Sequence, residues 1–139
     1  MTPVQKGDLG EAAVIKELLR QGFEVFSPVG NGSRIDLVAH RSGHFKRVQV
    51  KYANSFNETA SLQLRKCTLN PKYNYSYERT DVDLFALFVH DKDTVVFITA
   101  DEVFGSKTAR SSLTFRFAPA KNNQGCRMVE DYLTVPWGV

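Results

Sequence analysis

Cysteine is scarce. Cys67 and Cys126 are the two among 139 residues, far apart and with no C-x-x-C near either. That spacing excludes a cysteine zinc site and gives little reason to expect a disulfide, so both read as ordinary small side chains. Long apolar runs are also lacking: no stretch approaches the roughly 18–20 residues of a membrane span. The opening MTPVQKGDLGEAAV does not have the basic-then-apolar layout of a signal peptide, so a cytoplasmic protein is expected. The three histidines, His40, His44 and His90, have no ligand-like spacing, which argues against a histidine-held metal. Repeats, low-complexity stretches and internal linkers are missing, and the length suits a single domain spanning 1–139.

Charge of one sign is not in strong excess either. The formal net charge is +3, with 42% hydrophobic and 24% charged residues, the mix of an ordinary globular protein. Its distribution says more. Residues 1–52 hold eight Lys and Arg against five Asp and Glu, whereas residues 53–139 hold ten of each. The basic excess therefore lies in the first third of the chain, which permits a polyanionic partner.

Thr2-Pro3 reads as an N-cap followed by the favoured first helical position, and a helix is expected from there to Arg20, ending at Gly22. Ala12, Val14, Ile15, Leu18 and Leu19 form a broad apolar arc. Glu11 falls inside that arc, where an ionised carboxylate is costly unless a cation meets it. Phe23–Phe26 is a short strand and 27–33 a loop by composition. Two strands follow, Arg34–His40 and Phe45–Tyr52, joined by a turn on Ser42-Gly43, with His40 and His44 beside it. Alternation puts Asp36 and Val38 on one face of the first strand. On the second it groups Arg47, Gln49 and Lys51 together, opposite Val48, Val50 and Tyr52.

Ser61–Thr68 fits either a strand or a helical turn. Asp83–His90 is nearly all apolar, as a central strand covered on both faces would be. Asp91–Asp93 is a turn, Thr94–Thr99 the next strand, Ala100–Phe104 a helical turn and Leu113–Phe117 another strand. Met128–Leu133 is a candidate closing helix. This order suggests an α/β domain with a mixed central sheet.

Glu11, Asp36, Gln49 and Lys51 offer two acids, an amide and an amine. Hard oxygen donors at a few points suit Mg²⁺, which keeps several waters and accepts phosphate oxygens. A lysine beside them suits orienting or deprotonating a water, or offsetting phosphate charge. These parts describe metal-assisted phosphodiester hydrolysis.

The same residues carry a family resemblance. G-D-L-G-E at Gly7–Glu11, S-R-I-D at Ser33–Asp36 and Q-V-K at Gln49–Lys51 resemble the motifs of the PD-(D/E)XK nuclease superfamily. The G-x-x-G-E opening resembles that of Holliday-junction resolvases. Y-x-x-x-x-V-D-L-F-A-L-F around Tyr77–Phe88, then TVVFIT, LTFRF and K-N-N-Q at Lys121–Gln124, resemble the small homing endonucleases encoded in group I introns. The resemblance implies a restriction-endonuclease-like fold, with a mixed central sheet flanked by helices. It also implies Mg²⁺ or Mn²⁺ held near Glu11, Asp36, Gln49 and the Val50 backbone carbonyl, with Lys51 beside the nucleophile. Gln49 stands where the superfamily usually has Asp or Glu, which lowers the site's negative charge by one. The implied activity is site-specific cleavage of double-stranded DNA. One site per chain cuts one strand, so a homodimer or a dimer of dimers is expected. The alternatives are a Holliday-junction resolvase or repair nuclease, and an inactive DNA-binding module that keeps the fold.

Candidates for DNA contact are Arg34, Lys46, Arg47, Arg65, Lys66, Lys72, Arg79, Arg110 and Arg116 toward phosphates. Lys121, Asn122, Asn123 and Gln124 form a polar loop whose amides suit base edges. The alternation of Tyr73, Tyr75 and Tyr77 reads as a packing stripe or subunit contact, with stacking on DNA as the other use.

Overall fold

The computed structural model describes residues 1–66, 75–105, 111–119 and 127–138, apart from the side chains of Lys66, Tyr75 and Ser76. Both cysteines lie outside the described residues.

Helix α1 runs over Pro3–Arg20. Its start is a capping box: the Gln5 amide N–H donates to Thr2 Oγ1 at 3.2 Å, and the Thr2 N–H donates to Gln5 Oε1 at 2.8 Å. Gln21 is the C-cap, and Gly22 takes a φ of +92° that suits only glycine there. The buried line on α1 is Gly10, Val14 and Leu18. This is narrower than the expected arc: Leu19 is 56% exposed and Ala12 faces solvent, because the sheet beneath meets one stripe of the helix and no more.

The main sheet has the order β1-β2-β3-β7-β8, from β1 (Glu24–Phe26), β2 (Leu37–Arg41), β3 (His44–Ala53), β7 (Leu84–Val89) and β8 (Thr94–Thr99). Neighbours are antiparallel except β3 and β7, which run parallel. The β2–β3 turn has positive φ at both Ser42 (52°) and Gly43 (80°), the geometry that matches strand twist in a two-residue hairpin. A second sheet, β10-β9-β4, comprises β4 (Thr59–Gln63), β9 (Ser112–Arg116) and β10 (Arg127–Met128). β5 (Arg65–Lys66) pairs with β6 (Tyr75–Ser76), so Ser61–Lys66 is extended rather than helical. Helix α2 (Ala100–Phe104) follows β8 as expected, while the closing segment is one 3₁₀ turn at Val129–Tyr132. No helix among the described residues is long and apolar enough to cross a membrane.

Three layers result. Val14 and Leu18 of α1 pack on Leu37, Ala39, Val48, Leu84, Ala86 and Phe97 on one face of the main sheet. Phe85, Leu87, Val89, Val96 and Ile98 on the other face pack on Leu62, Leu113 and Phe115 of the second sheet. Strand β7 lies between, with all six residues buried, which explains its unbroken apolar run.

Asp83 locks the parallel register of β3 against β7. Its Oδ2 accepts the Arg47 backbone N–H at 2.8 Å and Nε at 3.0 Å, its Oδ1 accepts Arg47 Nη2 at 3.1 Å, and its own N–H donates to the Arg47 carbonyl at 3.0 Å. Burial pushes the Asp83 carboxyl up, but the hydrogen bonds and charge of Arg47, with Arg79, outweigh it and hold the group below its ordinary 3.8. That stabilisation is complete above 3.8 and is lost as pH falls through the lowered value in the folded state. Asp83→Ala is expected to lower unfolding free energy by about 1–2 kcal/mol. The measurement is urea denaturation followed by the fluorescence of Trp137, and the gap from the parent should close in strong acid.

Candidate active site

The site forms where strand pairing between β2 and β3 stops. The last pair is Leu37 with Val48. Asp36 was expected on the first hairpin strand, yet β2 begins one residue later, at Leu37, and Arg34–Asp36 lie outside it. The reason is visible in the hydrogen bonds. Asp36 Oδ2 accepts the Val50 backbone N–H at 2.9 Å, so a side chain continues the ladder where the strand does not. Backbone pairing with β3 thus ends at Leu37, and a cleft lies beside residues 49–52.

Gln49 is the one buried polar residue of the described core, 7% exposed. Its Nε2 donates to the same Asp36 Oδ2 at 2.7 Å. The parallel register sets Gln49 opposite Phe85 and Lys51 opposite Leu87, on the face away from α1, as the alternation predicted. Val50 points the other way, under the helix. There Gly10 brings α1 close: a Cβ at Gly10 would lie 3.5 Å from Val50 Cγ1 and 3.8 Å from Tyr52 Cβ. This approach sets Glu11, the next residue, over the cleft.

A cleft of about 200 Å³ is lined by Gly7, Gly10, Glu11, Asp36, Gln49, Val50, Lys51, Tyr52 and Tyr77. All four sequence-predicted site residues meet in it. A second hollow of about 350 Å³ lies beside it, walled by Ser27, Pro28, Gly30, Asn31, Gly32 and Ser33 and sharing Glu11 and Asp36. Burial, then the negative charge of Asp36, then that of Asp8, raise the Glu11 carboxyl above its ordinary 4.5. Two acids therefore face each other at a cost that a cation would relieve.

The donor set fits a hard cation. Among the described residues no group of three or more His, Cys, Asp and Glu side chains is placed to hold a metal. Glu11 and Asp36 are two carboxylates, and the further oxygens available beside them are neutral: the Gln49 amide oxygen and the Val50 carbonyl. Such a set suits Mg²⁺ or Mn²⁺ rather than a soft metal.

The structure adds two aromatic rings to the site that motif reading left outside it. Tyr52 lines the cleft, and its hydroxyl shares a 2.5 Å hydrogen bond with His90 Nδ1. Tyr77 is 4% exposed and lies with its ring centroid 4.6 Å from Lys51 Nζ. The tyrosine alternation signalled packing at Tyr77, but its neighbour on β3 follows from tertiary placement alone.

The basic candidates divide. Arg47 and Arg79 are engaged within the fold: Arg47 with Asp83, and Arg79 with Asp101 at 2.6 Å and Asp83 at 3.4 Å. Lys46 Nζ donates to the Trp137 carbonyl at 2.6 Å and lies 4.9 Å from the Trp137 ring centroid. Arg34 sits 3.6 Å from Asp81 with its side chain 48% exposed. Arg116 Nε donates to the Ala118 carbonyl, and Arg65 is exposed. Lys72, Arg110, Lys121, Asn122, Asn123 and Gln124 lie outside the described residues, as does the Lys66 side chain.

A bacterial homing endonuclease, I-Ssp6803I, superposes with a TM-score of 0.74 over 95% of this chain and 88% of its own. At 21% sequence identity that likeness establishes the shared fold, a mixed sheet of restriction-endonuclease type. Protein 5.3 of Escherichia phage T7 is 32% identical over 99 residues, 71% of this chain and 81% of the phage protein. The family model described as PD-(D/E)XK endonuclease matches residues 1–134. With that match over nearly its whole length, this chain belongs to the PD-(D/E)XK endonuclease family.

Proposed function

We propose that this chain is a site-specific, divalent-metal-dependent endonuclease of the homing type that hydrolyses phosphodiester bonds of double-stranded DNA. The observation that carries the reading is the acid pair. Glu11 and Asp36 share a cleft with Lys51, and the charge of Asp36 contributes to the raised Glu11 carboxyl. Glu11, Asp36, the Gln49 amide oxygen and the Val50 carbonyl would hold Mg²⁺ or Mn²⁺. When bound there, the cation supplies Lewis acidity toward water and phosphate oxygens. Asp36 is kept in place by the Val50 N–H and the Gln49 amide. Lys51 offsets charge on the phosphate and orients the attacking water. Arg34, Arg65 and Arg116 are the described side chains that would meet phosphates, with the loop at Lys121–Gln124 reading base edges. Cutting both strands takes two copies related by a two-fold axis, as a homodimer or a dimer of dimers.

Supercoiled plasmid carrying the target site should be nicked and linearised with Mg²⁺ or Mn²⁺ and left intact in EDTA. Asp36→Asn and Lys51→Ala are expected to lower cleavage at least about 100-fold with unchanged folding. Equal cutting by either variant and the parent would sink the assignment. A four-way junction and a linear duplex, run in parallel, separate shape reading from sequence reading.

Glu11 makes a second expectation. Its raised carboxyl means that ionisation costs the folded state stability above the raised value, and nothing below about 4.5. Glu11→Gln should therefore raise Tm at neutral pH without metal, with a gap that narrows in acid. Mg²⁺ should raise the parent's Tm and the variant's less.

Gln49→Glu would bring a third carboxylate against Asp36 Oδ2 in a buried position, where the amide now donates. It should cost about 1–3 kcal/mol of stability without metal. It should also move the metal midpoint of cleavage to lower Mg²⁺ concentration. A metal midpoint that rises or stays put would exclude Gln49 from the metal's surroundings.

A further inference from the structure

We propose that Tyr77 is a positioning residue for Lys51, its ring face holding the ammonium in the cleft beside Asp36 and Gln49. The inference rests on the reading of Lys51 as the cation that meets the scissile phosphate.

The Lys51 Nζ lies 4.6 Å from the Tyr77 ring centroid, inside the range in which a ring quadrupole attracts a cation. The ring is itself fixed. Tyr77 is 4% exposed, its backbone N–H donates to the Leu64 carbonyl at 3.1 Å, and its ring meets Phe85 edge-on at 5.8 Å and 85°. Phe85 is fully buried on the central strand and stands opposite Gln49 in the β3–β7 register. The register that places Gln49 thus also places the ring that seats Lys51.

Lysine carries four rotatable stem bonds, and ordering it costs side-chain entropy. A preformed seat removes that cost from the chemical step. A ring does this without a net charge, so it adds no repulsion where a phosphate must arrive. Tyr77 also narrows the cleft it lines, which lowers the local dielectric and strengthens the ammonium's pull on phosphate oxygens.

The contact can be read without any nuclease assay. Reductive ¹³C-methylation of lysines gives a Lys51 methyl signal, assigned by its loss in Lys51→Ala. At one fixed pH that signal should be shifted upfield by the ring current in the parent and in Tyr77→Phe, and should return to the common lysine position in Tyr77→Leu. An unshifted signal in the parent overturns the proposal. Cleavage kinetics supply the second arm. 3,4,5-Trifluorophenylalanine at position 77, close in shape to phenylalanine but with a weakened quadrupole, should lower kcat about tenfold relative to Tyr77→Phe with KM unchanged. Equal kcat for the two rings, or a loss confined to KM, overturns positioning by the ring face. If the parent cuts no DNA, the nuclease reading fails, and the methyl signal alone decides for or against the Tyr77–Lys51 contact.

Discussion

One oxygen, Oδ2 of Asp36, holds the site together. It accepts a backbone N–H from Val50 and a side-chain N–H from Gln49 at the point where β2 and β3 part. Without it, β3 would carry an unpaired N–H into a cleft, and Gln49 would be a buried amide lacking this acceptor. With it, the sheet ends in an acid rather than in another strand residue. The cleft is therefore a consequence of strand pairing that stops early, and the carboxylate is both the plug in the ladder and the candidate metal ligand. Gly10 completes the arrangement from the other side by letting α1 settle near Val50 and Tyr52, which brings Glu11 over the same gap.

Charge at this point is finely limited. Two carboxylates already raise the Glu11 group through burial and mutual repulsion. A third acid at position 49 would compete with Asp36 for the same buried space. The neutral amide resolves the conflict in the metal-free fold by donating to Asp36, and it still has an oxygen to offer. Where the family usually has Asp or Glu, the amide thus avoids a further like charge beside Asp36.

What was legible in the sequence follows the range of the forces involved. The Thr2 cap, the Pro3 start, the Ser42-Gly43 turn and the apolar run of β7 obey rules that act within a few residues, and they hold. The face shared by Gln49 and Lys51 follows from alternation alone. Three features depended on distant partners and could not be read locally. Asp36 leaves β2 because Val50, fourteen residues on, takes its side chain. Arg47 was a candidate for phosphate contact, yet Asp83, 36 residues away, engages it. Leu19 and Ala12 sat in the apolar arc, but the sheet covers a narrower stripe of the helix.

The basic side chains carry the same lesson toward function. Arg47 and Arg79 both bond Asp83, the residue that fixes how β3 and β7 align. Their positive charge is spent on register, and register is what places Gln49, Lys51, Phe85 and through it Tyr77. Of the basic excess in residues 1–52, Arg47 is thus already engaged within the fold. An exposed guanidinium such as that of Arg65 has more to gain from a phosphate than one already engaged with a carboxylate.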